Sequence, residues 1–377
     1  MTIPFNRPVL AGKELDYIRE AIGLGQLAGD GAFTERCQQW LCNFLGVPAV
    51  LLTHSCTAAL EMSAILVGIK PGDEVIMPSY TFVSTANAVT LRGGVPVFVD
   101  IRPDTLNIDE TLVESAITPR TQALFPIHYG GVPAEMDVLN DIAQRHGLAV
   151  VEDAAQALGA KYKGRNAGSL GQLAAFSFHE TKNVISGEGG ALAINDRALI
   201  ERAEIIREKG TNRRKFFRGQ VDKYTWVDIG SSFLPGELIA SFLYGQLEQM
   251  DAIYRDRLAT WQAYEAALGP YRARGLGTPT IPAHCTHNAH LYYILMPSLE
   301  LRQELIARMK QDGINTPFHY VPLHSSPAGK RLARTSGPMR HTEDLSLRLV
   351  RLPLFPRIGN DVNRAVERLK THLDALL

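Results

Sequence analysis

Short apolar runs alternate with helically spaced apolar residues through the first half of this chain. Residues 14–23 and 33–45 carry apolar positions three and four apart, with Gly29-Asp30-Gly31 between them, and this predicts two leading helices. From residue 48 the runs 50–52, 74–77, 97–99, 123–127 and 148–151 alternate with helical patterns. That order predicts βαβ units and a mostly parallel sheet covered on both faces. Two more runs, 174–178 and 191–194, bring the expected sheet to seven strands.

Beyond this the pattern changes. A helix is expected over 197–208, a long polar and basic loop over 209–226, and helical spacing from Pro235 to about Leu268. The remainder predicts a strand over 290–296, a helix over 299–311, a strand near 315–320 and a last helix over 361–376. The expected fold class is therefore α/β, with a large domain over residues 1–245 and a smaller α+β domain over 246–377.

Composition narrows the function classes. A chain of 377 residues that is 45% hydrophobic can bury a sizeable core. Lys plus Arg and Asp plus Glu each total 39, so no net field draws the chain to nucleic acid or to an anionic membrane. The first eight residues lack a signal-peptide pattern and no apolar run approaches the ~18 residues of a membrane helix, so a cytoplasmic location is expected. Cys37, Cys42, Cys56 and Cys285 are spaced for neither a disulfide framework nor a zinc site, and no metal is expected.

Candidate chemistry falls at strand ends, where an open α/β sheet gathers its ligands: Thr53, Ser79, Asp100, His128 and Asp153. Lys182 lies in the turn between the last two apolar runs. A lysine in a turn is ordinarily solvated, but one that is desolvated has a lowered pKa and becomes a nucleophilic amine able to form a Schiff base. In Thr53-His54-Ser55-Cys56-Thr57 a strand runs into a helix, and the free backbone N–H groups there suit an anion; a simple N-cap by Ser55 or Thr57 would explain the same residues. Asp153 closes a buried strand and requires donors or a cation, unless it only caps a helix. An imine-forming amine, a carboxylate that keeps a pyridine nitrogen protonated and a phosphate cradle are together what pyridoxal 5'-phosphate (PLP) requires. Phe82 offers a flat face to the ring, and Ser177 a hydroxyl to the phosphate, although each serves equally as an ordinary packing or hydrogen-bonding residue.

The segments Pro78–Asn87, Glu152–Gln156, Phe176–His179 with Lys182-Asn183, Gly187–Gly190 and His319–His324 resemble, in order, the DegT/DnrJ/StrS sugar aminotransferases. That group belongs to fold type I of the PLP enzymes, and the likeness runs from residue 3 to about 356. The resemblance implies that Lys182 binds the cofactor and moves the substrate proton, that Asp153 pairs with the pyridinium, and that Gln156 lies near the ring oxygen. It also implies that Phe82 stacks on the ring and that Cys56, Thr57 and Ser177 hold the phosphate. His319, Tyr320 and His324 would line the sugar pocket, or merely pack there. The stretch Glu204–Trp226 is similar to the branch that moves the amino group of L-glutamate to C4 of a dTDP-4-keto-6-deoxyhexose. A C3 aminotransferase and a non-catalytic PLP-binding sensor remain as alternatives. The family further implies a homodimer with the active site at the subunit interface. Two departures stand out: Cys56 replaces a common Gly, and Ser232 replaces an Asn that in the family reaches the neighbouring subunit's phosphate.

Overall fold

The computed structural model describes residues 2–377. All seven expected strands form and pair in one sheet: β1 (Ala49–Thr53), β2 (Glu74–Pro78), β3 (Val95–Val99), β4 (Thr121–Leu124), β5 (Ala149–Asp153), β8 (Leu173–Ser177) and β9 (Gly190–Ile194). A hairpin, β6 (Lys161–Tyr162) and β7 (Arg165–Asn166), precedes β8 and pairs through β6 with β10 (Cys285–Thr286). The order is β1-β9-β8-β5-β4-β2-β3, extended at the β3 edge by a two-residue strand, β12 (Arg334–Thr335). Pairing is parallel except at β9, which lies antiparallel to both β1 and β8. The other strands therefore share one direction, and the C-terminal ends of β1, β5 and β8 meet the start of β9 at one edge of the sheet.

Burial explains the near-continuous apolar runs. Central strands are covered on both faces, by Leu51, Met77, Phe98 and Val151 on one side and Val50, Leu52, Ala174 and Ala193 among those on other faces. A separate core joins Trp261, Tyr264, Tyr292, Leu305, Val350 and Leu369, and it includes Ile3 from the start of the chain. Ile3 bridges to Ile314, so the first residues pack with the C-terminal part.

Three expectations need correction. Residues 315–320 form no strand: Pro317 interrupts the run, and the partner of β11 (Tyr292–Leu295) is β13 (Leu349–Leu352). The helical stretch after Pro235 is two helices, Glu237–Leu247 and Met250–Leu268. Within the 209–226 loop lies a short helix, Arg213–Phe217. The leading helices α1 (Glu14–Gly23) and α2 (Ala32–Leu45) form as expected.

One buried ion cluster ties β12 to the sheet. Glu74, 1% exposed at the start of β2, accepts from Arg334 Nε and Nη2 (3.0 and 2.7 Å), Arg120 Nη2 (2.7 Å) and Thr118 Oγ1 (2.8 Å). The Arg334 hydrogen bonds are the main reason its carboxyl is pulled down to about 2. A depressed folded-state pKa means stability that is present above the ordinary value of 4.5 and lost as pH falls from there through about 2. Glu74→Gln leaves two guanidiniums without their counter-charge; both are partly exposed, so the expected loss is about 2–3 kcal/mol at neutral pH. Chemical denaturation of the two proteins at pH 7 and at pH 3 checks this: the gap should narrow at the lower pH.

Candidate active site

The helix α3 (Cys56–Leu66) begins directly after β1. Its N-cap is Ser55, extended at φ −162°, whose Oγ accepts from Ala58 N at 3.1 Å. No partner is found among the described residues for the N–H groups of Cys56 and Thr57. Gly190, at the start of β9, passes so close that an added Cβ would meet Cys56 N at 2.4 Å. Only glycine lets the strand and the helix N-terminus approach in this way. Thr57 Oγ1 shares a hydrogen bond with Ser84 Oγ at 2.7 Å, on α4 (Val83–Thr90).

Strand alternation separates the acidic pair at the end of β5. Glu152 is fully buried and accepts from the N–H groups of Gly168, Leu170 and Gly171 and from His128 Nε2. His128 Nδ1 accepts from Ala134 N, so the ring's proton sits on Nε2. Asp153 points the other way. It is 5% exposed, and its Oδ2 accepts from Thr85 Oγ1 (2.7 Å) and its Oδ1 from Ala155 N (3.2 Å). Among the described residues no cation lies within ion-pair distance of it, and burial raises its pKa against these donors and the nearby Lys182.

A cavity of about 490 Å³ brings the expected residues together: Cys56, Thr57, Phe82, Asp153, Gln156, Ser177, Lys182, His319 and Tyr320 all line it. Lys182 sits in the connection between β8 and β9, its backbone N–H bonded to His179 O. Burial lowers its pKa, and the Arg351 charge pushes in the same direction, against Cys56 and Asp153. Phe82, the N-cap of α4, is 57% exposed, unusual for a large ring on a cavity wall, and so presents a face to an occupant. Gln156 is fixed at both ends: Oε1 accepts from Gly130 N (2.7 Å) and Nε2 donates to Tyr320 OH (2.9 Å). Tyr320 stacks on His319 at 3.6 Å, and His319 Nδ1 shares a 2.8 Å bond with Tyr129 OH. Burial holds both His319 and His290 well below the usual histidine range, so both rings are neutral at pH 7.

Two expected residues lie elsewhere. His324 is not on the cavity wall; its Nδ1 and backbone N–H bond Ser79 Oγ and its Nε2 reaches Glu343 at 3.2 Å, pinning the turn after Tyr320. Ser232 is exposed, bridged to Glu208, and away from the cavity of its own chain. Three contributors went unread in the sequence. Thr85, which holds Asp153, stands four residues after Thr81, and that spacing on a helix start was the available signal. His290 bonds Asn183, the residue after Lys182, at 3.0 Å. Arg351 is the lone charge in the run Leu349-Val350-Arg351-Leu352.

The residues present fit PLP. A buried carboxylate lacking a cation suits a pyridinium nitrogen, a helix N-terminus with free N–H groups suits a phosphate, and an exposed ring suits stacking on a planar heterocycle. Fold and cavity together define a PLP-dependent transferase of fold type I. Comparison with known proteins makes this more particular. The DegT/DnrJ/EryC1/StrS aminotransferase family matches residues 8–370, and the chain belongs to that family, whose members are PLP-dependent sugar aminotransferases. The spore coat polysaccharide biosynthesis protein SpsC of Bacillus subtilis is 33% identical over 380 residues, 98% of this chain and 96% of the relative. The structure of the aminotransferase TlmJ from Streptoalloteichus hindustanus superposes with a TM-score of 0.92 at 30% identity, over 100% of both chains. The PLP form of Spr1654 from Streptococcus pneumoniae does so with a TM-score of 0.91 at 25% identity, again over 100% of both. Among the described residues no helix is long and apolar enough to cross a membrane, and no cluster of metal-ligating side chains occurs.

Proposed function

We propose that this enzyme transfers the amino group of L-glutamate to C4 of a dTDP-4-keto-6-deoxyhexose, giving dTDP-4-amino-4,6-dideoxygalactose and 2-oxoglutarate. The observation that carries the transfer chemistry is one cavity holding both the desolvated Lys182 and the buried, cation-free Asp153. Bound PLP supplies an electron sink and a carrier for the amino group. Lys182 Nζ, whose pKa burial lowers, takes the proton from the donor's Cα and returns one to the acceptor carbon. Asp153, fixed by Thr85, keeps a proton on the pyridine nitrogen. The N–H groups and hydroxyls at Cys56, Thr57 and Ser177 would hold the phosphate, and Phe82 would stack on the ring.

His319 and Tyr320 line the sugar end, while His324 holds their turn in place. Support for the C4 substrate comes from the resemblance of residues 204–226; their loop leaves Trp226 77% exposed along with Phe217 and Tyr224. Such uncovered rings fit the homodimer of this reading, in which Ser232 of one subunit faces the phosphate of the other. The reading also takes residues 1–245 and 246–377 as its two domains and places the enzyme in the cytoplasm, where nucleotide sugars are made.

The regiochemistry is tested by incubating holoenzyme with dTDP-4-keto-6-deoxyglucose and ¹⁵N-labelled L-glutamate. Nitrogen on C4 with an axial amine, and 2-oxoglutarate formed in equal amount, is the expected NMR result. Nitrogen on C3 of a 3-keto substrate, with the 4-keto sugar untouched, would overturn it.

A further inference from the structure

His290 stands on the same cavity wall as Lys182, and its ring is held by a chain of buried amides. Asn183, 5% exposed, donates from Nδ2 to the carbonyl of Asn288 at 2.7 Å, which identifies that atom as the amide nitrogen. Its Oδ1 can only accept, and it lies 3.0 Å from His290 Nδ1. The proton of the neutral ring therefore sits on Nδ1, and Nε2 carries a lone pair. No partner is found for Nε2 among the described residues. The backbone that carries the ring is fastened as well. Asn288 donates from Nδ2 to the carbonyls of Gln156 and Leu158 (2.8 and 3.0 Å), and its Oδ1 accepts from His290 N at 3.0 Å. Arg257, 1% exposed on the helix Met250–Leu268, donates to the carbonyls of Ala289 and His290. Ala289 itself sits at φ +51°, a left-handed conformation that disfavours a side chain and persists only where neighbours enforce it. The ring is thus fixed both in place and in tautomer.

A lone pair fixed in this way is an acceptor waiting for a donor. Lys182 precedes in sequence the residue that sets the tautomer, and its charge is felt at His290. Burial lowers the pKa of His290 first, and Lys182, Arg257, His319 and Arg351 all push in the same direction. The other cation on the wall, Arg351, has Nε and Nη2 fastened to the carbonyl of Phe318 at 3.1 and 2.8 Å. Asp153 is taken up by Thr85 and Ala155 and, in the reading above, by the pyridine nitrogen. A lysine amine detached from the cofactor hangs on four flexible carbons, and it must stay at the reacting carbon to move a proton. One fixed acceptor limits that freedom.

We propose that His290 Nε2 accepts a hydrogen bond from the Lys182 amine once a substrate has displaced it from the cofactor, and so holds that amine at the reacting carbon in both half-reactions. This rests on the aminotransfer reading above. Asn183 acts as a positioning residue: it sets the tautomer and thereby decides which nitrogen of the ring is free to accept. Burial and the surrounding charges hold His290 well below the usual histidine range, so it orients the amine without taking its proton.

The tautomer is read in the apo-protein by ¹⁵N NMR of labelled histidine, with the His290 signal assigned by its loss in the His290 variants. Hydrogen on Nδ1 and a bare Nε2 are expected at pH 7. The holoenzyme is read through the two half-reactions separately, with cofactor content and melting temperature alongside. His290→Asn keeps a donor to Asn183 but has no nitrogen at the Nε2 position. It should lower the maximal rate of both half-reactions about 30-fold, while the half-saturating concentrations of L-glutamate and of dTDP-4-keto-6-deoxyglucose change less than about 3-fold. His290→Gln returns an acceptor near that position and should come within about 5-fold of wild type. Asn183→Leu should move the ring proton to Nε2 and slow both half-reactions about 10-fold, and it serves as the test if His290→Asn does not fold. A proton on Nε2 in the wild type overturns the proposal. So does a loss confined to the sugar half-reaction, which would give the lone pair to a sugar hydroxyl, or a change only in the half-saturating concentration of glutamate, which would give it to the donor. Equal losses in His290→Asn and His290→Gln with a lowered melting temperature would reduce the residue to a structural role and overturn it too. Unchanged rates in His290→Asn defeat the proposal while leaving the aminotransfer reading intact, whereas a wild-type holoenzyme that no amino acid converts defeats both.

Discussion

Replacing Lys182 by Ala should lower turnover by roughly 10⁴-fold, the upper range for removing a group that both anchors the reacting centre and moves its proton. Among the described residues no second amine lines the cavity: Arg351 is the other cation on its wall and does not deprotonate. Borohydride should fix the cofactor covalently to the wild-type chain and not to the variant, which a mass measurement reads independently of activity. The loss should be chemical rather than structural. Burial disfavours the charged lysine, so deleting it removes an unfavourable term and the apo-protein should melt no lower than wild type. Lysine's depressed pKa also sets the sign of the pH response of cofactor capture by the apo-protein: the fraction of neutral amine, and with it the rate of attachment, rises with pH through that lowered value.

Asp153→Asn should cost on the order of 10²–10³-fold in kcat/KM, the effect of removing one partner from a buried charge pair. The amide keeps both contacts if its oxygen accepts from Ala155 N and its NH2 donates to Thr85 Oγ1, whose own proton turns to Thr81 Oγ1, so geometry survives while the charge that holds the pyridine proton is gone. Stability should move the opposite way. Asp153 has a raised pKa because it is buried without a cation; the folded state binds the extra proton, so ionising it at neutral pH costs stability. That cost appears as pH rises from the ordinary carboxylate value of 3.8 through the raised one. Apo Asp153→Asn should therefore melt at or above the wild-type temperature at pH 7, and the gain should shrink in acid. Cofactor addition should reverse the order, because only wild type offers the pyridinium its counter-charge. Paired melting curves of apo and holo forms check both signs.

Much of this site was legible because its residues fall where strands end. Periodicity located the seven strands, and the rule that ligands collect at carboxyl ends picked out Asp153 and the Thr53–Thr57 turn. What period and composition could not show was who faces whom across the fold. Thr85 and Asp153 are 68 positions apart, and their bond exists only because β2 and β5 lie in one sheet. Arg351 was hidden for a different reason: helix Arg340–Arg348 runs straight into β13 with no turn residue to mark the change. The expected strand over 315–320 failed because apolar spacing around Pro317 imitates one, whereas the backbone there makes only two isolated bonds, from Asn315 N to Ile3 O and from Arg351 N to Pro317 O. β12 is two residues long and carried no pattern at all. Its place beside β3 depends on Arg334 reaching Glu74 across 260 positions.

In the chemistry proposed above, Lys182 and Asp153 act in one cavity to pass an amino group from an amino acid to a keto sugar. An absorbance titration of the holoenzyme tests it most directly. L-Glutamate should convert the lysine-bound cofactor band to that of the pyridoxamine form, and dTDP-4-keto-6-deoxyglucose should restore it, in wild type and not in Lys182→Ala. A wild-type spectrum that glutamate leaves unchanged, or a Lys182→Ala protein that cycles between the two bands at the wild-type rate, would contradict the account.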